Sequence, residues 1–382
     1  MKPLLSPPRW TRILLCCGIF LPAICGQTGP APPPAQTPFL LEALRPDPQL
    51  TTAILQMRPG DTTTLTALLK TTPKLKLPLL WEEAQTAARA VLLTDVPLAL
   101  WRYQALRQIA ETIGHPSFLA VSYYRLGVAL AWLKRWPEAI IAYQQARSFC
   151  LAARQRAETA FFQREEAVIL ADLSYAQRAV EDFPAARTSA ELALVRFSET
   201  RSLTGPTVLQ PVEYGAAGAW ATLWQLAVQA NQHTTAVAAA SHALTFSRSL
   251  ADSNSLYRPQ LVNELLEQSA WAIKSGRFSL AYNQLTEALN LAGDNEDQLG
   301  YIQHLFGVAS AEEEDYERAA THFSLSLSLF RRQERHYEAA YTLLSLAVIE
   351  QRQGRYIPAA AGFQQVIQEL QREAGANAPT PT

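Results

Sequence analysis

The chain has 382 residues, 48% of them apolar, and 33 Lys+Arg against 34 Asp+Glu, a net charge of −1. That is apolar material for a large core, yet one compact domain seldom grows so long, whereas stacked repeats do. The balanced total argues against a nucleic-acid binder, which needs a basic surface to displace counterions from phosphates, although a balanced total leaves room for a local basic patch.

The N-terminus reads as an export signal over residues 1–26. Lys2, Arg9 and Arg12 form a basic lead, and Ile13 to Cys25 is a short apolar stretch interrupted by Pro22. It falls short of the roughly 20 apolar residues of a spanning helix, so no transmembrane span is expected in the mature chain. Cleavage after Gly26 places the protein in the periplasm or outside the cell; an uncleaved apolar N-terminal helix is the alternative. Lipid anchoring at Cys25 is the weaker reading, because bulky Ile24 precedes the cysteine where small residues are wanted. Three of the four cysteines (Cys16, Cys17 and Cys25) lie in the signal, so the mature chain keeps only Cys150 and forms no internal disulfide.

Residues 27–38 (QTGPAPPPAQTP) are a proline-rich linker. Residues 39–80 read as an irregular N-terminal cap, with short helical stretches at Leu40–Leu44 and Thr63–Leu69 broken by Pro46, Pro48, Pro59, Pro73 and Pro78. From Trp81 to about residue 372, apolar residues recur at three and four, the helical period. Two interruptions are expected, at Thr204–Gly218 and Ala251–Pro259, and a disordered tail over 373–382.

Within 81–372 an alanine recurs in one local setting, at Ala139, Ala186, Ala236, Ala281, Ala319 and Ala359. An aromatic usually stands three residues before it, an apolar residue four after it and a small residue seven after it. The spacings, 47, 50, 45, 38 and 40, are those of stacked helix pairs. The clearest copy is Ser117–Cys150. Pro137 suits the first turn of its second helix. Gly127, unfavourable in mid-helix, implies a close crossing, with Ala139 as the small residue expected to face it.

Leu126-Gly127, Ala139, Tyr143 and Ala146 resemble the tetratricopeptide repeat (TPR), a helix-turn-helix unit of about 34 residues. Phe306-Gly307, Tyr316, Ala319, Phe323 and Ser326 repeat the register, as do Leu346-Ala347, Tyr356, Ala359, Phe363 and Val366. In the copy at Ala236, bulky Trp224 takes the small mid-helix place. Pro97, Ala99 and Tyr103 hint at a degenerate seventh pair. The resemblance implies an all-α fold: an α-solenoid of six to seven stacked antiparallel helix pairs forming a right-handed superhelix. The spacings exceed the family's own and its closing proline is missing. A non-repetitive helical bundle, or another helix-pair solenoid, is the alternative.

Chemistry is sparse. No two of the six histidines have the spacing of a helical zinc motif, and His304 with His322, from adjacent helices, lacks a third ligand. The run Glu312–Asp315 lacks the alternating oxygen ligands of a calcium loop and reads as a solvated helix end. No phosphate loop or nucleophile elbow occurs. No cofactor, metal or nucleic acid is expected, and no catalysis.

The resemblance implies a concave groove lined by the first helix of each pair. Facing places the outward stripe at Val121, Tyr124, Val128 and Trp132 in the best copy, then Tyr301, His304 and Val308, then Tyr341, Leu344 and Val348. Such a stripe either anchors a peptide or packs against the next repeat. The expected function is a non-catalytic scaffold, exported to the cell envelope, that binds a protein or peptide. Self-association through an open C-terminal end is a further partner choice. The alternatives are a regulatory arm working with a separate effector such as a caspase-like peptidase, and a glycan- or lipid-binding envelope factor.

Overall fold

The computed structural model describes residues 60–92, 94–155, 159–201 and 210–376, together with Thr52 and Leu55. The expected signal, linker and first part of the cap lie outside the described residues. All regular structure among the described residues is helical. The chain divides between Ala239 and Ala240 into two compact units.

Unit 1 holds α1 (Thr62–Thr71), α2 (Leu77–Val91), α3 (Val96–Ile113), α4 (Pro116–Trp132), α5 (Trp136–Arg154), α6 (Thr159–Ala179), α7 (Phe183–Arg201) and α8 (Gln210–Gln229). Helix α9 (His233–Ser253) crosses the boundary. Unit 2 continues with α10 (Arg258–Lys274), α11 (Phe278–Ala292), α12 (Glu296–Glu312), α13 (Tyr316–Arg332), α14 (His336–Arg352) and α15 (Tyr356–Ala376). The helices stack in pairs. Within the units, first helices also touch the first helix of the next pair: α4 with α6, α6 with α8, α10 with α12, α12 with α14.

One turn builds six of these pairs. A residue with positive φ stands at Lys134, Glu181, Asn231, Gly276, Glu314 and Gly354. Each lies five residues before an anchor alanine. The following residue reaches back across the turn, as Arg135 N–H does to Leu130 C=O (2.9 Å) and Asp315 N–H to Ser310 C=O (2.9 Å). This closes the first helix with the left-handed cap that satisfies its last carbonyls. The second helix then starts on a capped turn: Asp315 accepts from Arg318 N–H at 3.2 Å. The six anchor alanines are all buried. The acidic run is accordingly the exposed end of α12, its turn and the cap of α13.

The close crossing at Gly127 is present, but its partner is Tyr143 rather than Ala139. A Cβ on Gly127 would lie 2.6 Å from Tyr143 Cε1, and one on Gly307 2.7 Å from Phe323 Cδ1. The missing side chain makes room for the aromatic of the second helix, which alone fills the crossing. Phe323 is almost wholly buried, and truncating such a ring costs about 3–5 kcal/mol.

The hinted seventh pair is α2/α3, whose Ala99 and Tyr103 are fully buried. It begins at Leu77, ahead of the expected Trp81, because Pro78 sits in the first turn of α2, where a proline starts a helix instead of breaking it. Of the expected interruptions, residues 204–209 lie outside the described residues, and much of the rest is helix, again with a proline in the first turn. Helix α8 begins at Gln210 with Pro211 second, and α9 runs to Ser253, leaving one 3-10 turn (Ser255–Tyr257) before Pro259 enters α10. Gly215, read as a loop residue, is helical and packs under Phe197, whose Cζ would lie 2.2 Å from an added Cβ. At the other end, α15 reaches Ala376, into the expected tail.

Candidate functional site

In unit 2 a groove of about 700 Å³ runs over the first helices of three successive pairs. Helix α10 contributes Leu266, Glu267, Ala270, Ile273 and Lys274; α12 contributes Tyr301, His304, Leu305, Val308 and Glu312; α14 contributes Tyr341. The repeat explains the set. Advancing Leu266 and Ala270 by 38 residues gives His304 and Val308; advancing Tyr301 by 40 gives Tyr341. Equivalent positions of stacked helices fall into rows across the groove.

The floor is aromatic and neutral. His304 is buried, with its ring between Phe323 (centroids 5.2 Å) and Tyr341 (5.1 Å). Its Nδ1 lies 3.2 Å from Thr342 Oγ1. Burial pulls its pKa down to about 4, so the imidazole is uncharged at neutral pH. Tyr341 stands on this base with 57% of its surface exposed. Tyr301 donates to Glu338 Oε1 (3.1 Å) and accepts from Arg335 Nη2 (2.7 Å), while Arg335 also pairs with Asp297 (2.8 Å). Burial, then the Glu338 charge, raise the Tyr301 phenol. These contacts hold the ring in one orientation. Charge is confined to the margins, at Glu267, Lys274 and Glu312, the last paired with Arg352 of α14 at 3.3 Å.

Of the expected groove residues, Tyr301, His304, Val308 and Tyr341 come together here. His304 forms the base instead of pointing outward. Leu344 is exposed and Val348 half-buried, and neither lines the groove. The α10 residues were missed, although the 38-residue shift points to Leu266 and Ala270. His304 and His322 do not form a pair: His322 stacks on Phe306 (5.1 Å) and its Nδ1 meets Gln303 Oε1 at 2.8 Å. Among the described residues, no group of three His, Cys, Asp or Glu could hold a metal. No helix among them is long and apolar enough to cross a membrane.

The remaining expected residues lie in unit 1. Trp132 is 57% exposed, and Val121 and Val128 are half-buried. Tyr124 is buried rather than outward. Its hydroxyl donates to Asp172 Oδ2 of α6 (3.0 Å), its ring lies 6.1 Å from Tyr143, and the Arg125 guanidinium sits 5.4 Å above it. First helices pack on one another here through this stripe, so a residue on the expected outer face meets the next pair. Burial pushes the Asp172 carboxyl up to about 6, against the opposing pull of the Tyr124 hydrogen bond and of Arg125. Nearby, Glu166 is fully buried and meets Arg154 (2.6 Å), Arg147 (3.4 Å) and Arg196 (3.4 Å). Cys150 is buried, and burial drives its thiol far above the usual range, making it an inert packing group.

No family model and no curated protein matches the sequence. In structure the chain is similar to the apo form of RapI, with TM-score 0.58 and 15% identity over 76% of each chain. It is also similar to aspartyl phosphate phosphatase F from Bacillus subtilis, with TM-score 0.52 and 12% identity over 90% of this chain and 83% of that one. At such identities the likeness is one of fold, and the fold is a TPR-like α-solenoid of stacked helix pairs.

Proposed function

We propose that this chain is a non-catalytic scaffold, exported to the cell envelope, that holds an apolar segment of a partner protein in the unit 2 groove. The observation that carries the reading is the convergence of Tyr301, Leu305, Val308 and Tyr341 with Leu266 and Ile273 on one cleft. Its volume suits a few side chains, within the roughly 300–1,000 Å³ of ordinary ligand clefts. An aromatic floor with charge only at its margins favours apolar anchors over a charged motif. Burial keeps His304 neutral, so the base does not repel a cationic flank at neutral pH.

A displayed peptide library selected on the full chain tests this. Selected peptides are expected to carry aromatic or aliphatic anchors and to lose at least about tenfold in affinity against Tyr341→Ala, the factor for about 1.4 kcal/mol. Tyr341 is more than half exposed, so the variant keeps the fold. Peptides that bind wild type and variant equally would remove the groove from the proposal. The fold also carries an aspartyl phosphate phosphatase, so acyl-phosphate hydrolysis is the activity to assay. Turnover by the purified chain would overturn the non-catalytic reading.

A further inference from the structure

We propose that the partner segment held in the unit 2 groove is proline-rich and crosses the helices in the polyproline II conformation, with prolines at every third position set on Tyr301 and Tyr341. The inference rests on the groove reading above and names the chemistry of what the groove holds.

Spacing is the first argument. Tyr301 and Tyr341 occupy the same position of α12 and α14, 40 residues apart, and those two helices touch. Helices in contact run with axes about 8–10 Å apart, so the two rings stand one helix apart in a row across the groove. A polyproline II segment rises about 3.1 Å per residue and turns every three residues, a repeat of about 9.3 Å. It therefore presents the same side to successive helices. A β-strand repeats its facing side chains at about 6.8 Å and is out of step by the second helix. On the other side of α12 the next step is α10, which touches it and offers Leu266 and Ala270 to the same groove.

Hydrogen bonding is the second argument. Among the described residues the Tyr341 hydroxyl has no partner, and the ring stands more than half exposed on His304, 5.1 Å below. It is a free donor in the cleft. A polyproline II segment makes no internal hydrogen bonds, so its carbonyls are open to that donor. An α-helical ligand has spent its carbonyls on its own amides. Tyr301 has a different part. Its hydroxyl is already engaged by Glu338 and Arg335, Phe330 meets the ring edge-on at 5.2 Å, and the Arg335 guanidinium lies 5.1 Å from its centroid. The ring is thus a fixed platform, still 39% exposed. Aromatic grooves of this kind take proline-rich segments because the ligand is stiff before it binds and loses little freedom.

Selection of a displayed random peptide library on the full chain, read by sequencing, tests this. Groove-dependent peptides are those that lose at least about tenfold in affinity against Tyr341→Ala. They should carry prolines three residues apart well above the frequency of the unselected library. In a selected peptide, one alanine inserted between the two prolines should weaken binding at least about tenfold. Tyr341→Phe, which keeps the ring and removes the donor, should weaken it about fivefold, the worth of one neutral hydrogen bond. Groove-dependent peptides without the proline spacing overturn this inference and leave the groove reading standing. So does an insertion that is tolerated, or full-strength binding to Tyr341→Phe. A selection that yields no groove-dependent peptide overturns both.

Discussion

Two glycines three residues apart on α8 should respond differently to the same substitution. Gly218 is exposed, and an added Cβ would meet nothing within 4 Å; at Gly215 it would lie 2.2 Å from Phe197 Cζ and 3.1 Å from both Cε atoms. Both sites are helical, so alanine gains up to about 1 kcal/mol of propensity at each. At 215 the ring must also retreat by more than 1 Å to restore an ordinary carbon contact of about 3.5–4.0 Å. Phe197 is itself buried, and overpacking of this kind costs about 1–3 kcal/mol. Gly218→Ala should therefore stabilise by about 1 kcal/mol, and Gly215→Ala should be neutral or destabilise by up to about 2 kcal/mol. Urea titration followed by circular dichroism, comparing midpoints at unchanged slope, reads the difference. Adding Phe197→Leu to Gly215→Ala should recover part of the loss, a coupling that two independent sites do not show. If Gly215→Ala raises the midpoint as much as Gly218→Ala does, the crossing is not the tight contact described and the reasoning fails.

Two further outcomes can be checked. Glu314 holds a left-handed backbone at φ 64, so Glu314→Gly should raise the thermal midpoint by the equivalent of about 1 kcal/mol; a lower midpoint would mean that the side chain contributes more than the backbone costs. The Asp172 carboxyl is raised in the fold from 3.8 to about 6. Its contribution to stability is thus full below pH 3.8 and is lost as pH rises through 6, by up to about 3 kcal/mol, less what partial exposure relieves. The pH–stability curve of Asp172→Asn should be flatter than that of wild type between pH 4 and 7, and parallel curves would refute this origin of the shift.

The repeat was legible because its signal is local. The anchor alanines, the turn and the second-helix aromatics fall at fixed offsets, and a side chain that must fit a helix crossing has few alternatives. Residues whose role depends on a neighbouring pair were harder to read. Tyr124 and Tyr123 are adjacent and chemically alike; Tyr124 is the more buried because Asp172, 48 residues on, receives its hydroxyl. Gly215 looked like a loop residue because the ring that explains it comes from α7. In the groove, Tyr301, Val308 and Tyr341 were visible as a stripe. His304 was misjudged because its place beneath Tyr341 depends on α13 and α14. The α10 wall was overlooked because Leu266 and Ala270 are unremarkable until aligned with the next copy.

The turn itself has a consequence for how such a chain can change length. From the mid-helix position to the anchor alanine is twelve residues in all six copies: 127 to 139, 174 to 186, 224 to 236, 269 to 281, 307 to 319 and 347 to 359. All variation in spacing therefore falls between one anchor and the next mid-helix position, where it alters helix ends and connections and leaves the crossing untouched. Crossings are therefore gained or lost only by whole modules. Excising residues 320–359 would join Ala319 directly to Ala360, splicing the start of α13 to the body of α15 in helical register and removing one module without disturbing the crossing on either side. A cut between Gly307 and Phe323 that is not a whole module would leave Phe323 without the small residue that admits it.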